Sequence, residues 1–354
     1  MEPAERYFLG ANTPVGFYSL YSGLLPPEEA RGLYILKGGP GCGKSTLMKK
    51  LSRRAGELGL KREEILCSGD PDSLDALILP ELGSAVADGT SPHALEARFP
   101  GVVDHYVNLE PCYDSKGLQA VREEIFRSKK EYQEAYRRAY RCLEGAAALA
   151  EDDRRPLLTG ELEEKLRLRA RSVARREFPK AKGTPGRVRQ RFLSTPTCRG
   201  TVTLWDTAKE SCGRVWLLAD RWGFAHEFLT ALTAEAVERG LSPVVCPDPM
   251  APDRMLHLLL PEIGAAFLTE GEGFGAKPYR RLRLESMADP ELLLKNRPML
   301  RFSRRVEEEL KAQAVRELEK AKAGHDRLEA FYHPFVDFEG VEKLGKALEE
   351  DIFS

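Results

Sequence analysis

The chain has 354 residues, 42% of them hydrophobic and 31% charged, with a formal net charge of −1. That balance fills ordinary cores in two domains or one large one, and it argues against a chain basic throughout, as a general nucleic-acid or membrane-surface binder would be. The first six residues lack the order of a secretory signal, no apolar run approaches the roughly 18–20 residues of a membrane span, and seven scattered cysteines without a C-x-x-C pair read as reduced, cytoplasmic usage.

In chain order, residues 32–37 read as a short buried strand. The run Gly38-Gly39-Pro40-Gly41-Cys42-Gly43-Lys44-Ser45-Thr46 follows, and a helix is expected over 45–58. Strand, glycine loop and helix with an intact Gly-Lys-Ser fit the phosphate-binding pattern G-x-x-x-x-G-K-[S/T]. Glycines let successive backbone N–H groups turn inward toward phosphate oxygens at a helix N-terminus. Lys44 is expected to reach the β- and γ-phosphates of ATP, and the Ser45 hydroxyl to sit on Mg²⁺. Cys42 lies in the same loop, where packing is the default reading of a small residue; a thiol at a helix N-terminus is the competing one, whose oxidation or alkylation would block the nucleotide.

A second strand is expected over 64–68, a short helix after Pro71, and a third strand over 84–87. This alternation predicts a parallel sheet with flanking helices. Asp88 ends the third strand and is the expected Mg²⁺-shell carboxylate, with Asp104 after Val102-Val103 as the alternative. A plain turn-capping role competes for Asp88. The next residue is Gly89, where a water-polarising Glu would favour a fast motor, so slow hydrolysis or transfer to another acceptor is expected. Asp70 and Asp72 follow the second strand, where ligands of open α/β sheets sit. Asp72 is assigned a structural capping role and Asp70 the catalytic one, as proton acceptor or water-orienting group. His93 is a further candidate for a phosphate or substrate contact, with a satisfied loop histidine as the plain alternative.

Residues 128–149 carry Tyr132, Ala135, Tyr136, Ala139, Tyr140 and Leu143 at helical spacing, and 160–178 form another helix. The pair predicts an αα-hairpin appended to the nucleotide fold. Residues 165–191 hold eleven Lys or Arg and one acid, Glu177. Three uses fit: an arginine lid over the triphosphate, a nucleic-acid surface, or a solvated helix face paired with nearby acids. The third is favoured, because no stacking aromatics or nucleic-acid motif accompany the charge.

The break at 182–186 opens a second copy of the first half. Residues 47–85 align without a gap on 228–266, with 13 of 39 positions identical, including Pro80-Glu81 against Pro261-Glu262. Where the first copy has its glycine loop, the second has Asp220-Arg221-Trp222-Gly223-Phe224-Ala225-His226-Glu227, and Thr269 stands in place of Asp88. Carboxylates there repel phosphate and bulky side chains block close approach, so this copy is read as inactive. The expected domains are 1–182, active, and 187–354, degenerate, the latter ending in helices over about 303–332 and 338–352.

The glycine loop with Leu47-Met48-Lys49-Lys50, the run from Cys67 to Asp75, Leu79-Pro80-Glu81-Leu82 and the run from Asp88 to His93 together resemble one bacterial family. It is an uncharacterised group of tandem P-loop proteins, largely from Firmicutes, labelled ATPase or nucleotide-kinase-like. The resemblance covers most of the chain and implies a duplicated P-loop NTPase fold with ATP binding and hydrolysis. In that family the second half often carries its own phosphate loop, and this chain departs there. The expected function is an Mg²⁺-ATP-dependent ATPase with one working loop. A small-molecule or nucleotide kinase is the first alternative, and a nucleotide-gated module that binds protein or nucleic acid with little turnover is the second.

Overall fold

The computed structural model describes residues 3–91, 95–180 and 183–354, so His93 lies outside the described residues. The first repeat comprises β1 (Glu5–Tyr7), β2 (Gly10–Thr13), β3 (Gly16–Ser19), β4 (Gly32–Lys37), α1 (Lys44–Glu57), β5 (Glu63–Leu66), β6 (Leu74–Leu79), β7 (Ser84–Asp88) and β8 (Asp104–Asn108). Three helices follow: α2 (Ser115–Ala120), α3 (Arg122–Arg154) and α4 (Gly160–Glu177). The second repeat comprises β9 (Arg189–Gln190), β10 (Ser194–Thr197), β11 (Gly200–Thr203), α5 (Trp205–Ser211), β12 (Arg214–Ala219), α6 (Ala225–Glu238), β13 (Val244–Asp248), β14 (Ala251–Leu260), β15 (Ala265–Thr269) and β16 (Arg280–Arg283). It closes with α7 (Pro290–Tyr332) and α8 (Phe338–Phe353).

Each repeat builds a six-stranded sheet, ordered β1-β5-β6-β7-β4-β8 in the first and β9-β13-β14-β15-β12-β16 in the second. The two orders are the same element for element, so the duplication read from 13 identities is a duplication of the α/β fold itself. Phe8 and Phe192 occupy matching positions and exchange backbone hydrogen bonds of 2.9 Å in both directions, which places a pseudo-two-fold relation between the repeats.

The sheets are mixed rather than fully parallel, because β6 and β14 run antiparallel to both neighbours. The expected helix after Pro71 is absent. Residues 67–73 make a tight reversal instead, with Ser73 N–H donating to Asp70 O (2.8 Å), too short for a parallel crossover. The run from Leu74 to Leu79 is buried at all six positions, a burial pattern that suits a central strand covered on both faces.

The helices also differ from a hairpin. On α3, Ala135, Ala139, Leu143 and Ala146 are buried against α7, whose Ala314, Leu318, Ala321 and Gly324 face back. Small residues let the two long helices approach closely: Ser128 Oγ donates to Gly324 O (3.1 Å) and Arg138 Nε to Glu317 Oε2 (2.7 Å). These pairings fix an antiparallel arrangement. Helix α4 leaves α3 and packs on α6, where Leu162, Leu166, Ala170 and Val173 join the second sheet's core. Helix α8 does the reverse, placing Leu348 and Ile352 in the core of the first sheet beside α1. Each repeat's last helix therefore covers the other repeat's sheet. Among the described residues, no helix is long and apolar enough to cross a membrane.

A buried ion pair crosses the repeats in the interior, alongside the hydrogen bonds of Asn12 to Thr195 and Pro196. Glu63 on β5 accepts from Arg191 Nε (3.1 Å) and Arg189 Nη1 (2.6 Å), with Glu63 and Arg191 both 3% exposed. Burial alone would raise the Glu63 pKa; the two guanidiniums and their hydrogen bonds outweigh it and hold the carboxyl below its ordinary value.

Candidate functional site

The loop at 38–46 leaves the buried strand β4 and enters α1 at Gly43 (φ +87°), with Gly41 at φ +72°, both in the region that favours glycine. Gly41 also lies under α7: a Cβ there would stand 3.2 Å from Glu329 O. Leu47, Met48, Leu51 and Ala55 anchor α1 in the first core, so the loop is mounted on a rigid base. Lys44 folds back over the loop, its Nζ donating to Gly38 O (2.7 Å) and Gly39 O (2.8 Å) and lying 3.5 Å from Asp88 Oδ2. Asp88 is at the C-terminal end of β7, which is paired with β4. The pairing brings to one point two residues 44 apart in sequence.

Asp88 takes the turn-capping role weighed for it and also faces the loop lysine. Its Oδ1 accepts from Thr90 N–H (2.8 Å) and hydroxyl (2.6 Å), capping the turn, while Oδ2 faces Lys44. The alternative, Asp104, is at the opposite end of the sheet: it pairs with Leu33 at the start of β4 and caps Arg98 N–H and Phe99 N–H. Ser45 Oγ accepts from Leu74 N–H (2.9 Å) and keeps its second lone pair. Position 89 is closed to side chains, since a Cβ on Gly89 would fall 2.3 Å from Ile35 Cγ2. The missing Glu therefore has a packing cause. Gly89→Ala is expected to lower stability by about 1–3 kcal/mol, the overpacking range, read as a shift of the urea midpoint. An unchanged midpoint would show that Ile35 moves aside.

Asp70 lines the same cleft. It accepts from Asp72 N–H (3.2 Å) and Ser73 Oγ (3.1 Å) and lies 3.5 Å from Lys322 on α7. Asp72 instead pairs with Arg199 of the second repeat, a structural tie between hairpins. Cys42 is buried at 1% exposure and its thiol donates to Gly39 O (3.1 Å), in keeping with the default reading of a packing group.

Above the loop the cleft opens to about 1350 Å³. Helix α3 supplies Lys129, Tyr132, Tyr136 and Arg137 to its walls, and α7 supplies Lys322 and His325. Tyr132 meets the His325 ring edge-on at 5.9 Å, and Tyr136 stacks on Tyr140, whose hydroxyl donates to Asn12 Oδ1 (3.1 Å). Burial raises the Tyr136 pKa well above its ordinary value, so this phenol stays protonated as a donor. The tyrosine spacing of four residues was visible in the sequence as a helix face. That the face turns toward the glycine loop was not. His325, Asp326 and Glu329 bring ligand atoms within 4.8 Å of one another at the rim, already engaged with one another and with Lys322.

None of the described residues in 165–191 lines this cleft, so the arginine lid is not formed. Their charges pair along α4 (Lys165 with Glu161, Arg167 with Glu164), across to Glu235, or with Glu29 and Glu63 of the first repeat. This is the solvated, ion-paired arrangement.

The second loop has closed on itself. The Asp220 carboxylate accepts from Trp222 N–H (3.3 Å), Phe224 N–H (2.9 Å) and Ala225 N–H (2.6 Å), taking the amides at the start of α6. His226 repeats the Ser45 contact, its Nδ1 accepting from Met255 N–H (3.0 Å). Arg254 lies across the turn, donating to Gly223 O (2.8 Å) and Glu227 Oε1 (3.2 Å). A carboxylate and an ion pair thus sit at the place where the first loop is open.

No protein-family model, curated protein or solved structure matches this chain.

Proposed function

We propose that the first repeat is a P-loop nucleotide-binding unit that binds Mg²⁺-ATP and cleaves its terminal phosphoanhydride, and that the second repeat serves as scaffold. The observation that carries this reading is the meeting of Lys44 with Asp88 (3.5 Å) at a glycine loop whose Gly41 and Gly43 hold left-handed backbone. The residues fit the group. Loop N–H groups and the α1 N-terminus favour phosphate oxygens. The Ser45 hydroxyl and Asp88 carboxylate are hard oxygen donors of the kind Mg²⁺ takes. When bound, the ion neutralises charge between the β- and γ-phosphates. Lys44, held beside Asp88, would exchange its two carbonyl partners for phosphate oxygens and offset the negative charge that develops on them.

Transfer to a small-molecule or nucleotide acceptor is favoured as a second reading by two features. Position 89 has no room for a water-polarising side chain, and the cleft continues past the loop to Tyr132, Lys322 and His325. There Asp70, aligned by Lys322, is placed as the candidate acceptor base. The test is ADP release with Mg²⁺-ATP, alone and across a panel of nucleosides, sugars and peptides. Equal phosphate and ADP release without acceptor supports hydrolysis, and ADP formed only with an acceptor supports transfer. No ADP under either condition overturns both.

A further inference from the structure

The second repeat carries a cleft of its own, about 990 Å³, and two of its walls correspond to walls of the first. In the first repeat they are the turn after β4 and the long helix α3; in the second they are the turn after β12 and the first half of α7. The chemistry differs. The second turn offers its side chains Arg221 and Trp222, because Asp220 has taken its amides. Arg283 joins from the end of β16, and Arg297, Arg301, Arg304 and Arg305 line one face of α7.

Six arginines thus face two carboxylates, Glu285 and Glu308, in a chain whose net charge is −1. Only Arg221 (3.9 Å to Glu285) and Arg304 (3.2 Å to Glu308) are paired. Arg283, Arg297, Arg301 and Arg305 form no ion pair with a described residue. Cations gathered in a concave wall raise the local potential and repel one another, a cost that a bound polyanion relieves. Guanidinium forks suit phosphate oxygens in particular.

The patch is short. The four helix arginines span nine residues, about 12 Å of helix, and acids bound them: Asp289 and Glu291 before, Glu307-Glu308-Glu309 after. A track for a nucleic-acid strand would continue; this one ends at both sides. Trp222 is half-buried at the rim with Leu293 and Leu300 nearby, whereas Trp205 and Trp216 are only 7% and 2% exposed. A flat aromatic beside a phosphate clamp matches a base attached to a polyphosphate.

We propose that this second cleft binds a nucleoside polyphosphate without a metal ion, its phosphates held by the arginines and its base on Trp222. Metal independence follows from the lining, where six arginines supply the positive charge and the two carboxylates, Glu285 and Glu308, are each paired with one of them.

The test is tryptophan fluorescence and calorimetry on the full chain in EDTA, carried out in Lys44→Ala to weaken binding at the first loop, with the Trp222 emission reporting the second cleft. ATP is expected to bind saturably and quench the emission. Inorganic tripolyphosphate should bind more weakly, and adenosine not at all. Arg301→Ala, an exposed position, should weaken ATP by about tenfold or more. Trp222→Phe should remove the quench while calorimetric binding persists. Absence of ATP binding in EDTA, or equal affinity in Arg301→Ala, overturns the proposal. An oligonucleotide binding tenfold tighter than ATP overturns it in favour of a nucleic-acid surface.

Discussion

Lys44→Ala is expected to lower nucleotide turnover by about 10²–10³-fold, the range for removing one preorganised donor from developing charge. The lysine is held at its post by Gly38 O and Gly39 O and by Asp88, and its side chain is only 10% exposed. Alanine removes the one ammonium that the loop directs into the end of the cleft proposed for phosphate, and Asp88 is left without its Lys44 counter-charge. Stability should change less than activity, because the α1 anchors Leu47, Met48 and Leu51 are untouched. Turnover and a urea melt measured on the same preparation separate the two. Wild-type turnover in a folded Lys44→Ala protein would remove the nucleotide reading of this loop.

Arg191→Ala is expected to destabilise the chain by about 3 kcal/mol, the lower end of the range for stripping one partner from a buried ion pair. The lower end applies because Arg189 still reaches Glu63 at 2.6 Å. The substitution also removes donors to Gly23 O (3.0 Å) and Gln190 O (3.0 Å). The pH dependence has a definite sign. Glu63 is held below its ordinary value of 4.5, so its contribution is present above that pH and fades as pH falls through the folded-state value. Urea midpoints between pH 7 and pH 3 should therefore converge for wild type and Arg191→Ala at the acid end. A constant gap across that span would show that packing rather than charge carries the effect. Replacing Glu63 and Arg191 together by leucine should recover part of the loss, since the buried charge then disappears with its partner.

The glycine loop, its flanking strand and helix, and the 181-residue duplication were legible in the chain because each is written in short-range terms. A turn needs glycine at particular φ values, a helix needs apolar residues on one face, and a copy keeps its pattern. Helix α1 and its counterpart α6 start and end at aligned residues, as the ungapped alignment requires. Asp88 was found because a carboxylate at a strand end follows from the same local logic. The misreadings share another origin. Leu74–Leu79 has no helical or strand period that separates the two, since a strand buried on both faces is apolar throughout. Asp104 and Asp88 both adjoin apolar strand runs, and only the pairing of β4 with β7 and β8 puts one at the loop and the other at the far end.

What lies beyond the loop was decided by tertiary packing. The leucine face of α4 fits any apolar helix, and nothing within residues 160–178 directs it to α6 rather than α3. The small residues of α3 and α7 select each other only once both helices are in place, and that choice turns Tyr132, Tyr136, Lys322 and His325 toward one cleft. Arg304 and Arg305 read in sequence as part of an ordinary charged helix and Arg297 and Arg301 lay before its expected start, until α7 from Pro290 sets all four beside Arg221, Arg283 and Trp222. Local stereochemistry is set by neighbours in the chain, so a motif declares its own shape. A cleft is made by side chains hundreds of residues apart, and their meeting depends on which buried faces pair with which.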